Sequence, residues 1–428
     1  MRLALVSDFF PPNIGGVETH IYQLAQRLLL HGHQVIIITH QYQQHVGVKQ
    51  LRPRLKVYYL PFIPFYNQCI LPTLTAATLP SLRSIFLEEG IELVHGHSAF
   101  SSLAHESLFV AGIMNIATVF TDHSLFGFAD VSAVITNAFI KFSLANTNKC
   151  ICVSHTGKVN TVLRAKIPQE DVYVIPNAVD AALFSPRTDK LIYKNKIVVA
   201  IGSRLVYRKG IDICARVIPL ICAETFGEIQ VHFLIAGDGP KRILLEEMIE
   251  NHKLQDQVIM LGELPMEDVR NQLLLKADIF LNTSITEAFC MAILEACSCG
   301  LTVVSTNVGG IPEVLPREFI YLVEPSVSSV ASGLIDAIND VISENRPSKE
   351  KCHKFVEGAY DWGDITKRTE VVYRAAVSNQ KTFRGKVRTL WERGTISGPV
   401  MACVFLFCHY WILILNYLFP IQKGHFNA

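Results

Sequence analysis

The 428-residue chain is 50% hydrophobic and 18% charged, with a formal net charge of +1. That composition excludes a disordered polymer, and near-neutrality excludes a global field that would recruit nucleic acid or an anionic membrane surface. The length allows two ordinary domains.

Taken from the amino end, the run LALV closes quickly at Asp8 and Pro11–Pro12. It reads as a first β-strand rather than a signal peptide, so the catalytic part is expected in the cytosol. Short β-branched runs follow at Val35–Thr39, Val57–Leu60, Leu93–His95, Ala117–Thr121, Cys150–Val153 and Val172–Ile175. A second series runs Ile197–Ile201, Val231–Ala236, Val258–Leu261, Ile279–Asn282, Thr302–Ser305 and Ile320–Leu322. Stretches of helical period lie between them, such as ETHIYQLAQRLLLHG closed by Gly32. Strands apolar on both faces that alternate with helices predict parallel sheets covered on both sides. Two series predict an α/β protein with two doubly wound Rossmann-like domains facing across a cleft, residues 1–180 and 181–378. They join in the turn-rich segment Pro176–Pro186. The eleven cysteines include no CxxC pair, and Cys150/Cys152 and Cys297/Cys299 sit in apolar runs, which predicts buried thiols in a reducing compartment.

No charged residue occurs from Gly394 to Gln422, and Pro399–Pro420 is long enough to cross a bilayer as a helix. Lys381, Arg384, Lys386, Arg388 and Arg393 precede this stretch and Lys423 follows it. The positive-inside bias then predicts a basic linker (379–398), a single membrane helix (399–420) and a short tail across the membrane (421–428). Its two strongly polar residues, His409 and Asn416, are candidates for a bond to a partner helix, a lipid-facing position or a bond to backbone.

Four segments carry chemistry. TEAFCMAILEACSCG (Thr286–Gly300) follows the strand ADIFLN, with Glu287 at the loop-to-helix junction and Glu295 eight residues later. On a helix that spacing places two carboxylates roughly on one side, ~12 Å apart along the axis. Between them, at Phe289, Cys290 and Met291, free N–H groups of the helix start form an anion site. Hexose, diphosphate and ribose of a sugar nucleotide have this layout. The second segment, IGSRLVYRKGID (Ile201–Asp212), places Arg204 and Lys209 in the loop after a strand, where two cations neutralise a diphosphate without metal; each charge-assisted contact is worth roughly 1.5–3 kcal/mol. No paired aspartates of the metal-diphosphate kind occur here. In the third, SDFFPPNIGGVETH, Gly15 and Gly16 allow backbone to approach a ligand closely, although the pattern is not GxGxxG. The fourth, TVFTDHSLFGFAD, puts His123 at a strand end, within reach of a sugar hydroxyl. Gly237, in the GDGP loop, is expected to close over the nucleotide or to serve as a simple turn. His95 and His97 lack a third ligand at a useful spacing, so no metal is expected. Asn282-Thr-Ser284 matches a glycosylation sequon that a cytosolic domain leaves unused. Phe62–Phe86, apolar and broken by prolines, reads either as ordinary core and loop packing or as a membrane-facing surface.

Together the E-x7-E segment, the Arg…Lys-Gly loop and the Gly-Gly loop resemble retaining glycosyltransferase family 4, of the GT-B fold. The longer stretches SDFFPPNIGGVETHIYQL, TDHSLFGFADVSA, SRLVYRKGID, LNTSITEAFCMAILEA and STNVGGIPEVLP resemble, within it, the N-acetylglucosaminyltransferases that act on phosphatidylinositol. The resemblance runs across nearly the whole chain. It implies UDP-N-acetylglucosamine as donor, phosphatidylinositol as acceptor, and retention of anomeric configuration. It further implies a place in a multisubunit complex of the endoplasmic reticulum membrane, with the site facing the cytosol. It places Glu287 on the transferred sugar, Glu295 on the ribose, Arg204 and Lys209 on the diphosphate, His123 in the sugar pocket and Gly16 near the donor phosphates. Arg204, Lys209, Glu287 and His123 form the expected catalytic set. Another sugar, as in a phosphatidylinositol mannosyltransferase, or a non-catalytic membrane scaffold on the same fold, are the alternatives left open.

Overall fold

A computed structural model describes the chain except residues 14, 43–44, 67, 74, 126–136, 138–139, 188–194 and 422–428. The far part of TDHSLFGFADVSA and nearly all of the expected tail therefore lie outside the described residues. The chain divides into two compact units, Met1–Pro176 with Gly363–Ala428, and Asn177–Trp362.

In the first unit the strands are β1 (Arg2–Val6), β2 (Gln34–His40), β3 (Gly47–Arg52), β4 (Leu55–Leu60), β5 (Pro64–Tyr66), β6 (Cys69–Ile70), β7 (Leu93–His97), β8 (Ala117–Asp122), β9 (Lys149–Cys152) and β10 (Val172–Val174). Eight of them form one sheet in the order β10-β9-β8-β7-β1-β2-β4-β3, and β5 and β6 pair separately as a hairpin. All ladders of the large sheet are parallel except β3 on β4. Helices α1 (Gly16–Leu30), α2 (Thr78–Glu88), α3 (Ser102–Ile113) and α4 (His155–Ala165) make the crossovers. The parallel strands are buried along almost their whole length because helices cover both faces, which is why their sequences are unbroken apolar runs.

The second unit contains β11 (Lys196–Gly202), β12 (Gln230–Ala236), β13 (Val258–Gly262), β14 (Ile279–Asn282), β15 (Thr302–Thr306) and β16 (Ile320–Val323). They form an all-parallel sheet in the order β13-β12-β11-β14-β15-β16. Its helices include α5 (Ile211–Ala223), α6 (Arg242–His252), α7 (Met291–Ser298), α8 (Val327–Ile342) and α9 (Lys349–Ala359). Strand order reverses between β1 and β7 in one sheet and between β11 and β14 in the other. Each reversal opens a crevice at the carboxyl ends of its strands, the place where open α/β sheets bind ligands.

Every strand expected from sequence is present. β3 and the β5–β6 hairpin are additional. The sequence GVKQLR of β3 is polar and mostly exposed, so an antiparallel edge strand leaves no apolar signature. The chain leaves the second unit earlier than the expected 378: helix α10 (Trp362–Ser378) packs into the first unit from Gly363 onward. Its Glu370 accepts from His31 and His33, each at 2.9 Å, and its Tyr373 hydroxyl pairs with His95 at 2.7 Å.

Two helices close the chain, α11 (Phe383–Trp391) and α12 (Ser397–Leu418). By length and composition α12 is apolar enough to cross a membrane. One stripe of it (Gly398, Ala402, Phe405, Cys408, Ile412 and Leu415) is buried against the first unit. The spacing of three and four residues is that of one helix face. Phe405 meets Phe109 and Phe383, and Cys408 meets Thr75. Arg83, 2% exposed, donates to Asn416 Oδ1 at 2.7 Å and to the carbonyls of Leu415 and Phe419, capping the helix end. The His409 ring lies tilted against Phe383, with centroids 4.3 Å apart. Both polar residues of the apolar helix are thus engaged within the chain. The opposite face is exposed and apolar at Val400, Phe407, Tyr410, Trp411, Ile414 and Leu418. The segment 62–86 divides: Ile63, Phe65 and Leu71 are exposed, whereas Leu79, Leu82, Ile85 and Phe86 turn into the core as the buried face of α2. Only its first half remains available as a surface.

Candidate active site

In the second unit, β11 and β14 flank the reversal of strand order, and the two cation- and carboxylate-bearing loops follow them. The loop after β11 carries Arg204 and Lys209, and the loop after β14 carries Glu287. The two loops are tied together at the backbone. Ile285 N–H donates to the Arg208 carbonyl at 2.9 Å. Thr283 Oγ1 donates to the carbonyls of Lys209 and Gly210 at 3.0 and 3.1 Å. Gly210 has φ +68°, and a Cβ there would lie 1.8 Å from the Thr283 carbonyl oxygen, so no other residue allows this approach. Gly237 acts likewise on the other side. Its φ is +133°, and a Cβ would lie 1.9 Å from the Ser203 carbonyl oxygen. Leu205 N–H donates to the Asp238 carbonyl at 2.8 Å. Gly237 therefore supports the Arg204 loop from behind.

This scaffold brings Lys209 Nζ onto Glu287 Oε2 in a charge-assisted bond. Ser284 Oγ donates to the same carboxylate oxygen at 3.4 Å, and the Glu287 carbonyl accepts from Gly310 N–H at 3.0 Å. Burial works against the Lys209 charge, but Glu287 beside it leaves the ammonium above its ordinary value. Arg204 is exposed, and its side chain makes no hydrogen bond or ion pair to a described residue. Burial, with Arg204 close by, lowers the Arg208 guanidinium.

The helical spacing expected between Glu287 and Glu295 does not hold. Helix α7 begins only at Met291, after Cys290 in the left-handed region at φ +71°, so Glu287 lies in the loop and no helical rise connects the two carboxylates. Ser284 and the pair with Lys209 fix Glu287 instead. Glu295, on α7, is 7% exposed, finds no hydrogen-bond donor among the described residues, and is pushed up to about 7 by burial. Phe289 is packed against Tyr360, so only its backbone is offered to a ligand. Met291 and Ala292 open α7 with N–H groups that have no intrahelical partner. Asn282 of the sequon is buried, its amide on Ser305 Oγ at 2.8 Å.

In the first unit, Gly16 is the first residue of α1 and Gly15 its cap, but the Glu18 carboxylate lies over Gly15: a Cβ there would meet Glu18 Oε2 at 2.4 Å. The backbone surface expected to face a ligand at Gly15 is thus covered by a side chain. His123 directly follows β8, and its Nε2 lies 3.3 Å from His97 Nδ1. With His20 they form a group whose potential ligand atoms all lie within 4.8 Å of one another. His97 of the β7 pair thus has two further histidines beside it, and His95 is not part of the group. These two come from helix α1 and from the loop after β8, which sequence spacing does not reveal. Burial lowers all three imidazoles, to about 4 for His20 and well below the usual value for His97 and His123. Two buried carboxylates carry no sequence signal of their own. Asp8 accepts from Ser101 Oγ and from the N–H groups of Ile70 and Leu103 at 2.7–3.0 Å. Asp122 accepts from Thr161 at 2.9 Å beside Arg164. Both tie loops at the carboxyl ends of strands to neighbouring helices.

Comparison with known proteins places this geometry. Residues 40–130 match a family model described as PIGA (GPI anchor biosynthesis), and residues 186–362 match one described as Glycosyl transferases group 1. A phosphatidylinositol N-acetylglucosaminyltransferase subunit of Homo sapiens is 49% identical over 98% of this chain and 86% of its own length. Its counterpart in Arabidopsis thaliana is 46% identical over 98% of this chain and 90% of its own. Among solved structures, sucrose-phosphate synthase from Thermosynechococcus elongatus matches with a TM-score of 0.73 at 21% identity, covering 88% of this chain and 99% of that one. Anabaena Alr3699/HepE, crystallised with UDP, matches at 0.68 and 17% identity, covering 88% and 100%. These likenesses establish the GT-B fold, and the chain belongs to the PIGA family, the glycosyltransferase subunits of phosphatidylinositol N-acetylglucosaminyltransferase.

Proposed function

We propose that the chain transfers N-acetylglucosamine from UDP-N-acetylglucosamine to the inositol of phosphatidylinositol, the opening step of glycosylphosphatidylinositol anchor synthesis, with retention of configuration. The observation that carries this reading is the Lys209–Glu287 pair beside the unpartnered Arg204, on loops locked together at the strand reversal of a chain from this family. Arg204 and Lys209 receive the donor diphosphate, and no metal serves it. Glu287 accepts hydroxyl hydrogen bonds from the transferred sugar while holding Lys209 in place. Glu295 takes the ribose hydroxyls, and the first-turn N–H groups of α7 face phosphate. Gly16 and His123 belong to the donor sugar side. Breaking the bond from the anomeric carbon to the diphosphate oxygen leaves negative charge on UDP. Opposite charges 4 Å apart at an effective dielectric near 20 are worth about 4 kcal/mol, so preorganised cations are the main catalytic device. The inositol hydroxyl attacks the face the diphosphate leaves. The new carbon–oxygen bond forms there and the hydroxyl proton passes to the departing phosphate.

Helix α12 anchors the chain in the endoplasmic reticulum membrane, with the catalytic units on the cytosolic side and the remaining subunits around it. The exposed Ile63, Phe65 and Leu71 belong to the same unit as α12 and face the acceptor lipid. The test is transfer of labelled sugar in membranes containing the chain and its partner subunits. UDP-N-acetylglucosamine should yield labelled glycolipid and GDP-mannose none. Transfer from the mannose donor alone would replace the assigned sugar.

A further inference from the structure

The first unit contains a histidine cluster that the transfer chemistry does not use in full. His20 comes from α1, His97 from the end of β7, and His123 from just past β8. These elements meet at the reversal of strand order in the first sheet, where β1 and β7 are neighbours. We infer that His20, His97 and His123 form a site for a divalent transition metal, zinc foremost, with three imidazole ligands and one open coordination position.

The geometry is that of such a site. Metal–nitrogen bonds of about 2.0–2.1 Å in a tetrahedron set nitrogen–nitrogen edges of about 3.3–3.4 Å. The His97–His123 edge is 3.3 Å, and all three ligand atoms lie within 4.8 Å. A shift of His20 on the order of 1 Å completes the set. Among the described residues no carboxylate enters the cluster, so the ion is of the type that imidazole selects rather than magnesium or calcium. Outer support is present as well. The His95 ring lies tilted against His97 with ring centroids 4.0 Å apart, and is itself held by Tyr373 and Thr121, each at 2.7 Å. His20 and His97 are buried and His123 is half-buried, so the open position lies on the His123 side, where an oxygen ligand, water or a substrate hydroxyl, can reach it. All three ligands belong to the first unit.

The test uses the full chain purified in detergent, stripped with a chelator and titrated with cobalt(II), then zinc. The inference predicts one cobalt per chain, with the visible absorption of a four-coordinate ion and no sulfur-to-metal band. It also predicts displacement by zinc and a rise in melting temperature on loading. His20→Gln and His97→Gln should each weaken cobalt binding by about tenfold or more. If the stripped wild-type chain takes up neither metal, or if its spectrum shows thiolate ligation, the inference is overturned. Binding by both variants as tight as wild type would also overturn it. Should either variant fail to fold, the wild-type titration and its spectrum still decide.

Discussion

Arg204 and Glu295 are opposite kinds of proposed site residue. Arg204 is exposed and has no partner among the described residues, so its removal costs the fold little. Arg204→Ala should change stability by no more than about 0.5 kcal/mol while lowering transfer by about 10²–10³-fold, read from a thermal melt and initial rates. Glu295 is buried with no donor among the described residues, so it strains the unliganded fold. Its folded value of about 7 stands above the usual 4.5, because burial disfavours the carboxylate. Its contribution is fully present below pH 4.5, is lost as pH rises towards about 7, and is flat beyond. The whole effect is about 3 kcal/mol. Glu295→Gln should therefore melt higher than wild type at pH 8 and alike at pH 4, yet bind UDP more weakly. A variant no more stable than wild type at pH 8 would contradict the assignment. Lys209 and Glu287 answer to each other. In a cycle of Lys209→Met and Glu287→Gln, the double variant should lose less activity than the sum of the single losses, because each single change leaves the other group unpaired in a half-buried setting.

At the scale of elements, the parallel strands were legible because both faces are buried, and short unbroken apolar runs between helical stretches are the mark of such strands. Arg204, Lys209 and Glu287 were legible as charged residues in loops after strands, whereas the pairing of Lys209 with Glu287 was not. Nothing in E-x7-E reveals that α7 starts at Met291, or that Glu287 is held by Lys209 across 78 residues of chain. The histidine cluster was illegible for the same reason: its members come from three elements and meet only when the sheet forms. Edge strand β3 was illegible because an exposed strand carries no apolar period. Gly210 stands in the sequence only as part of a motif, yet it decides how closely the two catalytic loops approach. Gly210→Ala, with φ +68° and a carbonyl oxygen 1.8 Å from the new carbon, must separate those loops. It should cost more than about 1 kcal/mol of stability and reduce transfer beyond what the stability loss explains. Arg83 decides how α12 ends. Arg83→Met leaves the carbonyls of Leu415 and Phe419 uncapped, and should free the carboxyl-terminal turns of α12 to limited proteolysis in detergent, with α1–α3 unaffected.

For the molecule as a whole, the units divide the chemistry. The second holds the cation–carboxylate clamp, and the first holds the histidine cluster, the exposed apolar hairpin and the docked apolar helix. A sugar nucleotide is water-soluble and a phosphoinositide is not, so a chain joining them needs one polar clamp and one surface at home beside lipid. The most direct measurement is transfer of labelled N-acetylglucosamine from UDP-N-acetylglucosamine to phosphatidylinositol, by wild type and by Arg204→Ala at equal abundance, with the partner subunits present. The account predicts labelled glycolipid from wild type and at least about a hundredfold less from the variant. Equal transfer by the two would contradict the clamp on which the account rests.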